Sequence, residues 1–306
     1  MTEHTLEPGE PVTIIGAGAI GMFLGAALAR AGHPLTVCGG RPFDHIDITD
    51  GDTIEHFPVR HTATPAEAGP HRLVIVAVKA HHTPDVAAWL DVVATDESIV
   101  LVAQNGIEHR ERVAPYVGDA AVVPAIVYVP VDRTAPGQAV VHRPADRDLT
   151  LAADPAAEAV TARLTAGGVR VENAADFTTA AWRKVLTNMG SNPITTLTGR
   201  RTEVIRDPGI ERYALRLLNE VATVARAEGA DIGERVPVET IAWLQNLPDG
   251  ASTSMLHDRL AGRRLEHDAL TGAILRAAAR NRLAVPHVES LHAVLNALSD
   301  GQGSMS

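Results

Sequence analysis

Three polar residues recur at every fourth position of the segment 184–192. Lys184, Asn188 and Asn192 stand at i, i+4 and i+8, a spacing that places three side chains on one face of an α-helix. Several positions between them are apolar, so the stripe is more than a solvent-exposed face. Pro193 follows, and because proline disfavours the α conformation of the residue before it, we expect the helix to end or to kink there.

The scarcity of lysine makes Lys184 a candidate proton donor. Lysine and arginine together number 27, and only Lys79 and Lys184 are lysines. An arginine guanidinium stays protonated in proteins, whereas the ammonium group of a partly buried lysine can titrate. A lysine on a semi-apolar helix therefore suits general-acid catalysis. An ordinary surface cation is the alternative, and the residue by itself does not distinguish the two.

A glycine-rich segment near the N-terminus predicts dinucleotide binding. The apolar run 12–15 leads into Gly-Ala-Gly-Ala-Ile-Gly at 16–21, and a helical stretch follows. In this pattern the first glycine permits a tight turn, the second lets the backbone approach a pyrophosphate, and the third allows close packing of helix on strand. The alternative is a purely structural turn. The candidate cofactor-binding residues are Gly16, Ala17, Gly18, Ala19, Ile20 and Gly21.

The end of the second predicted strand favours NADPH over NADH. An NAD site usually has Asp or Glu at this place, about 20 residues past the motif, to bind the ribose 2′-hydroxyl. After the strand 35–37 this chain has Cys38-Gly39-Gly40-Arg41 instead, and the nearest acid is Asp44. A guanidinium suits a 2′-phosphate, so Arg41 is a candidate cofactor contact. The alternative is a surface arginine in a loop.

Two more polar residues follow predicted strands. The apolar segments 72–78 and 98–103 are typical of buried parallel strands, and Lys79 and Asn105 lie just beyond them. Ligands of open α/β sheets bind outside the carboxyl ends of the strands. Lys79 and Asn105 are therefore candidate cofactor contacts, although Asn105-Gly106 could equally be only a turn.

The segment 252–268 carries a second set of candidates. Ser254 lies in a Ser/Thr-rich stretch whose hydroxyl and N–H groups suit a substrate carboxylate, and Glu266 introduces a predicted helix. Alternatively, Ser252 or Ser254 caps a helix and Glu266 is an ordinary acid at a helix start. The histidines at 81, 82, 257 and 267 have no metal-ligand spacing, so we expect no metal.

Composition narrows the class of protein. The length of 306 residues suggests two domains, and the pattern changes from strands and helices to helices alone near Asn173, which predicts domains 1–173 and 174–306. A net charge of −10 argues against nucleic acid or an anionic membrane as the main partner. No apolar run is long enough to cross a bilayer. Cys38 is the single cysteine, so we expect no disulfide and a cytoplasmic location.

Five segments together resemble the ketopantoate reductase (2-dehydropantoate 2-reductase) family, over nearly the whole chain. Each is modest alone, but their order and spacing are specific. They are GAGAIG at 16–21, VAVKA at 76–80, QNG at 104–106, WRKVLTN with SNP at 182–193, and SMLHDRLAGRRLEHD at 254–268.

The resemblance implies an α/β fold class, with an N-terminal Rossmann-type doubly wound sheet, an all-α C-terminal domain and a cleft between them. It also implies that a small 2-oxo acid is the substrate, with NADPH-dependent reduction of 2-dehydropantoate to pantoate in pantothenate and coenzyme A biosynthesis. The sequence does not fix the oligomeric state, but helical C-terminal domains of this kind often pair, so a homodimer is possible. By this resemblance, Lys184 matches the proton donor of the family. Asn105 matches a residue that touches both the cofactor and the substrate. The matches to substrate-binding positions are Asn188, Asn192 and Ser254, and those to the cofactor and active-site network are Lys79 and Glu266.

Some positions depart from the pattern of that family. Gly40 stands where the family often has arginine, one position before Arg41. Thr202 stands where the family often has a substrate-touching asparagine. A related reductase acting on another 2-oxo acid therefore stays open as an alternative, as does a non-catalytic NADP-binding sensor, which would need no proton donor.

Overall fold

The chain folds into two units, described in a computed structural model. The structure describes residues 6–7, 9–143 and 146–303. Close contacts between backbone positions divide the chain into Met1–Phe177 and Thr178–Ser306. Among the described residues, no helix combines the length and the apolar character needed to span a bilayer.

The described residues of the first unit form one sheet of eleven strands. Its order is β11-β10-β7-β6-β5-β1-β2-β4-β3-β9-β8. The strands are β1 (Val12–Ile15), β2 (Leu35–Cys38), β3 (His45–Asp50), β4 (Thr53–Thr62), β5 (Leu73–Val76), β6 (Ile99–Val102), β7 (Ala121–Val127), β8 (Val131–Ala135), β9 (Gln138–Val141), β10 (Leu149–Ala152) and β11 (Val171–Ala174).

The central strands are parallel and buried on both faces. Six strands, from β7 through β6, β5, β1 and β2 to β4, pair in parallel. The helices around them are α1 (Ala19–Arg30), α2 (Pro65–Ala68), α3 (Ala87–Val93), α4 (His109–Val113) and α5 (Pro155–Ala166). Leu73 and Ile75 of β5 pack in a core with α1 and α5, whereas Val74 and Val76 pack in a second core with α3 and α4. This two-sided burial explains the unbroken apolar runs of the sequence.

The antiparallel hairpin β3–β4 was not anticipated from the sequence. Its ten-residue second strand alternates half-buried and exposed residues along much of its length, and its turn contains Gly51 at a φ of 61°. Strand β3 also pairs with β9, so strands far apart in sequence complete this part of the sheet. Asn173, near which a domain boundary is predicted, lies within β11, which pairs with β10.

The second unit is helical. Its helices are α6 (Phe177–Thr198), α7 (Pro208–Ala227), α8 (Val236–Gln245), α9 (Ser254–Leu260), α10 (Ala273–Arg280) and α11 (Pro286–Gly303), with a 3₁₀ helix at Thr202–Arg206 and a π-helix at Asp268–Gly272. The mixed sheet followed by helices confirms the predicted fold class.

Pro193 does not end α6, so the expected helix end at this residue is wrong, whereas the kink stays a prediction. The helix continues to Thr198, and Pro193 lies inside it. A proline removes one backbone N–H from the helix ladder, here the donor for the Met189 carbonyl. The Thr195 hydroxyl bonds to two other carbonyls of the helix. Thr195 Oγ1 donates to the carbonyls of Ser191 at 2.9 Å and Asn192 at 3.1 Å. Residues 191–196 are all buried, and this packing holds the segment helical.

Candidate functional site

Four strands of the first unit end at the same level of the sheet. Ile15 of β1 is in register with Cys38 of β2 and with Val76 of β5, and Val76 is in register with Val102 of β6. The segments that follow these strands therefore leave one edge of the sheet together. They carry every residue of the predicted cofactor site: the glycine turn, Arg41, Lys79 and Asn105.

Two glycines of the turn are required by packing. Gly16 has a φ of 94°, and a Cβ atom there would lie 2.4 Å from the backbone nitrogen of Val78. A Cβ atom at Gly21 would lie 2.2 Å from the Gly16 carbonyl oxygen. Both approaches are far inside van der Waals contact, so the strand, the turn and α1 can pack this closely only without side chains at these positions.

Gly18 is different, because neither backbone nor packing requires it. Its φ of −76° and ψ of −167° suit any residue, and a Cβ atom there would have no heavy atom within 4 Å. Gly18 is the N-cap of α1, whose first turn has no acidic residue. An N-cap without a side chain fits a pyrophosphate bound at the N-terminus of α1.

The residues around that turn are accessible to a ligand. Gly16, Ala17, Gly18, Ala19 and Ile20 are half-buried, whereas Gly21 is buried beneath them. The first backbone bond of the helix runs from the Met22 N–H to the Gly18 carbonyl at 2.9 Å, so the N–H groups before it have no helical acceptor.

Arg41 is exposed on a glycine-rich loop beyond β2. Gly39 and Gly40 adopt φ values of 67° and 74°, and the Gly39 carbonyl lies 3.0 Å from His61 Nε2. Within the described ranges, the Arg41 guanidinium has no hydrogen bond or ion pair. Cys38 takes the place of the usual ribose-binding acid, and its burial raises the pKa of the thiol to about 11. This arrangement fits a ribose 2′-phosphate better than a 2′-hydroxyl.

Lys79 and Asn105 lie half-buried beyond β5 and β6. Lys79 precedes a short 3₁₀ helix, Ala80–His82, and its carbonyl accepts the His82 N–H at 2.8 Å. Asn105 is followed by Gly106, whose φ of 102° is typical of a glycine in a turn.

A buried network beside Asn105 was missed by the sequence analysis. Gln104 Nε2 donates to the Val78 carbonyl at 3.0 Å and to Thr83 Oγ1 at 2.9 Å. His109 Nε2 donates to the Gln104 carbonyl at 2.8 Å. Burial, with the nearby Arg112, lowers the pKa of His109 to about 4, so the imidazole is neutral near pH 7. No local pattern signals this network, because its members come from two segments, 78–83 and 104–112, that are distant in the sequence.

In the second unit, the three residues of the α6 stripe lie on one helix as predicted. Lys184 is half-buried, while Asn188 and Asn192 are only 8% and 6% exposed. Within the part of the chain that the structure describes, neither asparagine side chain has a hydrogen-bond partner. Because buried amides are costly without partners, these two groups are suited to bind a polar ligand.

The N-terminus of α9 is attached to α6 near this stripe. Thr253, not Ser252 or Ser254, is the N-cap, and it accepts the Leu256 N–H at 3.3 Å. Its hydroxyl also lies 2.7 Å from that of Thr195 on α6. Ser254, the first residue of α9, is exposed. The helix cap is therefore Thr253 and not Ser254. The Ser254 hydroxyl is accessible, one residue from the contact that Thr253 makes with α6.

Thr202 holds the loop before α9. Its N–H and its hydroxyl both donate to the Ala251 carbonyl, at 3.0 and 3.2 Å, and the residue is 3% exposed. The threonine hydroxyl is therefore engaged within the protein.

Glu266 is buried at 6% exposure, just before the π-helix. Its segment is held by α11 at three points: Leu265 N–H donates to Ser299 Oγ at 3.1 Å, His267 Nε2 lies 3.2 Å from Asn296 Oδ1, and Thr271 Oγ1 lies 2.8 Å from His292 Nδ1. The three α11 residues are spaced i, i+4 and i+7, one helix face. The π-helix itself, a feature frequent at functional sites, was not predicted.

The candidate residues thus form two groups. The cofactor candidates share one edge of the sheet in the first unit. In the second unit Lys184, Asn188 and Asn192 share α6, Ser254 is linked to α6 through Thr253, and Glu266 is held by α11.

Comparison with known proteins shows to which family the chain belongs. Residues 12–154 match the family model described as ketopantoate reductase PanE/ApbA, and residues 176–299 match the model of its C-terminal domain.

The chain belongs to the ketopantoate reductase family.

Known relatives cover almost the whole chain. A 2-dehydropantoate 2-reductase of Mycobacterium tuberculosis is 37% identical over 95% of this chain and 99% of its own length. A PanE/ApbA family ketopantoate reductase of Ralstonia eutropha JMP134 has a TM-score of 0.85 at 28% identity, covering 96% of this chain and 99% of that one. A dimeric ketopantoate reductase of Staphylococcus aureus shares the fold, with a TM-score of 0.84 at 24% identity over 96% of this chain and 100% of that one.

Family membership confirms the resemblance stated from the sequence. Ketopantoate reductases are NADP-dependent oxidoreductases, so this chain is an NADP-dependent oxidoreductase that acts on a small molecule. The open space at Gly18, the α1 N-terminus and the exposed Arg41 fit NADPH independently.

Proposed function

We propose that this protein reduces 2-dehydropantoate to pantoate with NADPH, through Lys184 as proton donor. One observation carries the assignment of the site: in a ketopantoate reductase family member, a half-buried lysine shares a helix face with two buried asparagine amides that have no partner among the described residues. A 2-oxo acid needs such a set, since it offers a ketone to be protonated and polar groups to be bound.

Lys184 acts where charge develops. NADPH supplies the hydride that reduces the ketone carbon. The Lys184 ammonium stabilises the negative charge that grows on the carbonyl oxygen, and its Nζ atom gives that oxygen a proton. Glu266, fixed by three contacts of its segment with α11, orients Lys184 or a substrate hydroxyl.

The remaining candidates bind and orient. Asn188 and Asn192 donate amide N–H groups to the substrate, and Ser254 offers its hydroxyl to the carboxylate, so that the carbonyl is held in one orientation. In the first unit, the backbone from Gly16 to Gly21 binds the pyrophosphate and Arg41 binds the 2′-phosphate. Lys79 and Asn105, beyond the ends of β5 and β6, contact the rest of the cofactor, and Asn105 also contacts the substrate.

The test is a steady-state assay that follows NADPH absorbance. We expect turnover with 2-dehydropantoate. We also expect kcat/KM to be at least about tenfold higher with NADPH than with NADH, because a contact between the 2′-phosphate and the Arg41 guanidinium worth about 1.4 kcal/mol gives a factor of ten. Binding of NADPH without turnover of any keto acid would instead identify a non-catalytic sensor. Equal use of both cofactors would contradict the role of Arg41.

Thr202 favours one alternative substrate class. Because its hydroxyl is donated to the Ala251 carbonyl, this side of the site lacks the amide that the family often has there. A related 2-oxo acid, for example a branched or aryl one, is therefore the second candidate. A panel of such acids, assayed in parallel with 2-dehydropantoate, decides by the ranking of kcat/KM.

We also propose a homodimer in the cytoplasm with no nucleic-acid partner. The dimeric relative of Staphylococcus aureus supports the oligomeric state, the net charge of −10 disfavours a polyanionic partner, and the single buried Cys38 suits a reducing compartment. Light scattering coupled to gel filtration tests the dimer; a mass of one chain would exclude it.

A further inference from the structure

The hairpin β3–β4 brings three metal-ligating side chains together. His45 and Asp47 lie two residues apart on β3 and therefore share a face of the strand. His56 lies on β4 directly opposite Asp47. We call His45, Asp47 and His56 the hairpin cluster. None of the three belongs to the predicted cofactor or substrate site.

The ligand atoms of the hairpin cluster converge. His56 Nδ1 lies 2.6 Å from one Asp47 oxygen, and His45 Nε2 lies 3.5 Å from the other. All three ligand atoms lie within 4.8 Å of one another. Two ligands that each lie about 2.1 Å from a tetrahedral ion are about 3.4 Å apart, so a small separation of the Asp47–His56 pair would admit an ion between the three groups.

Neighbouring groups already orient these ligands. His45 Nδ1 lies 2.5 Å from Asp44 Oδ1, which directs the proton to Nδ1 and the lone pair to Nε2. A carboxylate behind a metal-ligating histidine is the usual arrangement in zinc sites. Gln138 Nε2, from β9, lies 3.5 Å from Asp47 Oδ2 and steadies the carboxylate.

The backbone of the cluster is held on two sides. Asp47 pairs with His56 across the hairpin and with Gln138 of β9, and its N–H donates to the Gly137 carbonyl at 2.7 Å. Asp47 thus lies on a strand flanked by two others. Ligands on such a strand need little rearrangement to bind an ion, which favours affinity.

The ligand types select the class of ion. Two imidazoles and one carboxylate suit Zn²⁺ and its first-row neighbours, whereas Mg²⁺ and Ca²⁺ prefer oxygen ligands. The side chains of His45, Asp47 and His56 are 36%, 24% and 65% exposed, so water can complete the coordination shell. We propose that the hairpin cluster binds one first-row divalent cation, with Zn²⁺ as the reference ion.

The test is a Zn²⁺ titration of the full chain after treatment with a chelator, in competition with a chromogenic chelator. We expect one Zn²⁺ per chain to bind more tightly than any other. His56→Ala and Asp47→Asn are each expected to weaken this binding at least about tenfold, and Asp44→Asn, which keeps all three ligands, to weaken it less.

His142→Ala is the matched control. His142 Nε2 lies 3.1 Å from Asp132 in another exposed histidine–aspartate pair, but neither residue belongs to a group of three convergent ligands in the described part of the chain. This variant should bind Zn²⁺ as the wild type does. Circular dichroism without metal confirms that each variant is folded. Zn²⁺ should raise Tm in the wild type and in the control, and should raise it least in His56→Ala and Asp47→Asn.

Crystals grown with Zn²⁺ and measured at the zinc absorption edge give the position of the ion. An anomalous peak between His45, Asp47 and His56 supports the proposal. A peak elsewhere with none here, or equal affinity in Asp47→Asn and the wild type, overturns it. Because these readouts do not involve turnover, the result is independent of the proposed reductase activity.

Discussion

Lys184 illustrates what a single residue contributes. Half-buried on α6, with Asn188 and Asn192 one and two turns along the same face, it lies in the surroundings that make a lysine ammonium suitable as a proton donor. Gly18 contributes to the proposed pyrophosphate site because it has no side chain. A Cβ atom there would have no described heavy atom within 4 Å. Both hypotheses are tested by changing one side chain.

Replacing Lys184 tests proton donation. We expect Lys184→Ala to lower kcat at least about 100-fold, within the usual contribution of general acids. Lys184→Arg should lose a similar factor, because a guanidinium keeps the charge but does not release its proton. Arg183→Ala, at the exposed neighbouring position, is the control and should retain wild-type kcat. Turnover of Lys184→Ala within about threefold of the wild type would rule out the role.

Adding a methyl group at Gly18 tests the pyrophosphate site. Because the backbone there suits any residue, Gly18→Ala should change the free energy of unfolding by less than about 0.5 kcal/mol. It should nonetheless raise KM for NADPH at least about tenfold, since the methyl group enters the space before α1. Gly233→Ala, where a Cβ atom also meets nothing within 4 Å, should alter neither quantity. An unchanged KM in Gly18→Ala would place the pyrophosphate elsewhere.

At the scale of elements, α11 determines where Glu266 lies. The polar residues His292, Asn296 and Ser299 hold the segment around the π-helix from one helix face. This arrangement explains how an irregular, buried stretch keeps a fixed conformation. It also predicts that a residue on the last helix affects a reaction in which it does not itself take part.

Ser299→Ala tests that contact. The substitution leaves the Leu265 N–H, in a buried segment, without its acceptor, which should cost about 1–3 kcal/mol of unfolding free energy. By loosening the Glu266 segment it should also lower kcat about tenfold, while KM for NADPH stays unchanged. Ser290→Ala is the control, because the exposed Ser290 hydroxyl only donates back to Pro286 on the same helix. A loss of stability with wild-type kcat would limit Ser299 to a structural role.

At the scale of the whole molecule, buried histidines connect stability to pH. His109 is 2% exposed, and burial lowers its pKa to about 4. Burial likewise lowers the pKa of His71 and of His292. Above pH 6.5, the ordinary histidine pKa, His109 is neutral in the folded and unfolded states and contributes no pH dependence. Below it, the unfolded chain binds a proton that the folded chain excludes, so stability falls toward pH 4.

His109→Gln tests this linkage. For the wild type, His109 should contribute a loss of up to about 1.4 kcal/mol of unfolding free energy per pH unit between pH 6.5 and 4. The variant keeps an N–H donor for the Gln104 carbonyl but has no titrating group at this position. Its free energy of unfolding should therefore fall less per pH unit than that of the wild type, by up to the contribution of His109. Urea unfolding at pH 7 and pH 5 measures the difference. Parallel pH profiles in the two proteins would show that His109 does not carry the effect.

The sequence by itself determined the elements with a strong local signal. Buried parallel strands give unbroken apolar runs, as in 72–78, and the glycine turn at 16–21 and the stripe from Lys184 to Asn192 depend on spacing alone. Together with the family resemblance, these patterns were sufficient for the fold class and for every candidate of the proposed reductase site.

Only the tertiary structure decided the rest, because it depends on residues distant in the chain. Proline disfavours a helix locally, yet Pro193 lies within α6, where residues 191–196 are all buried. The hairpin β3–β4 is completed by β9, and Glu266 lies where α11 holds it. The hairpin cluster exists only because a turn places His56 opposite Asp47. Such interactions have no local periodicity, since their free energy comes from contacts that form when the chain folds.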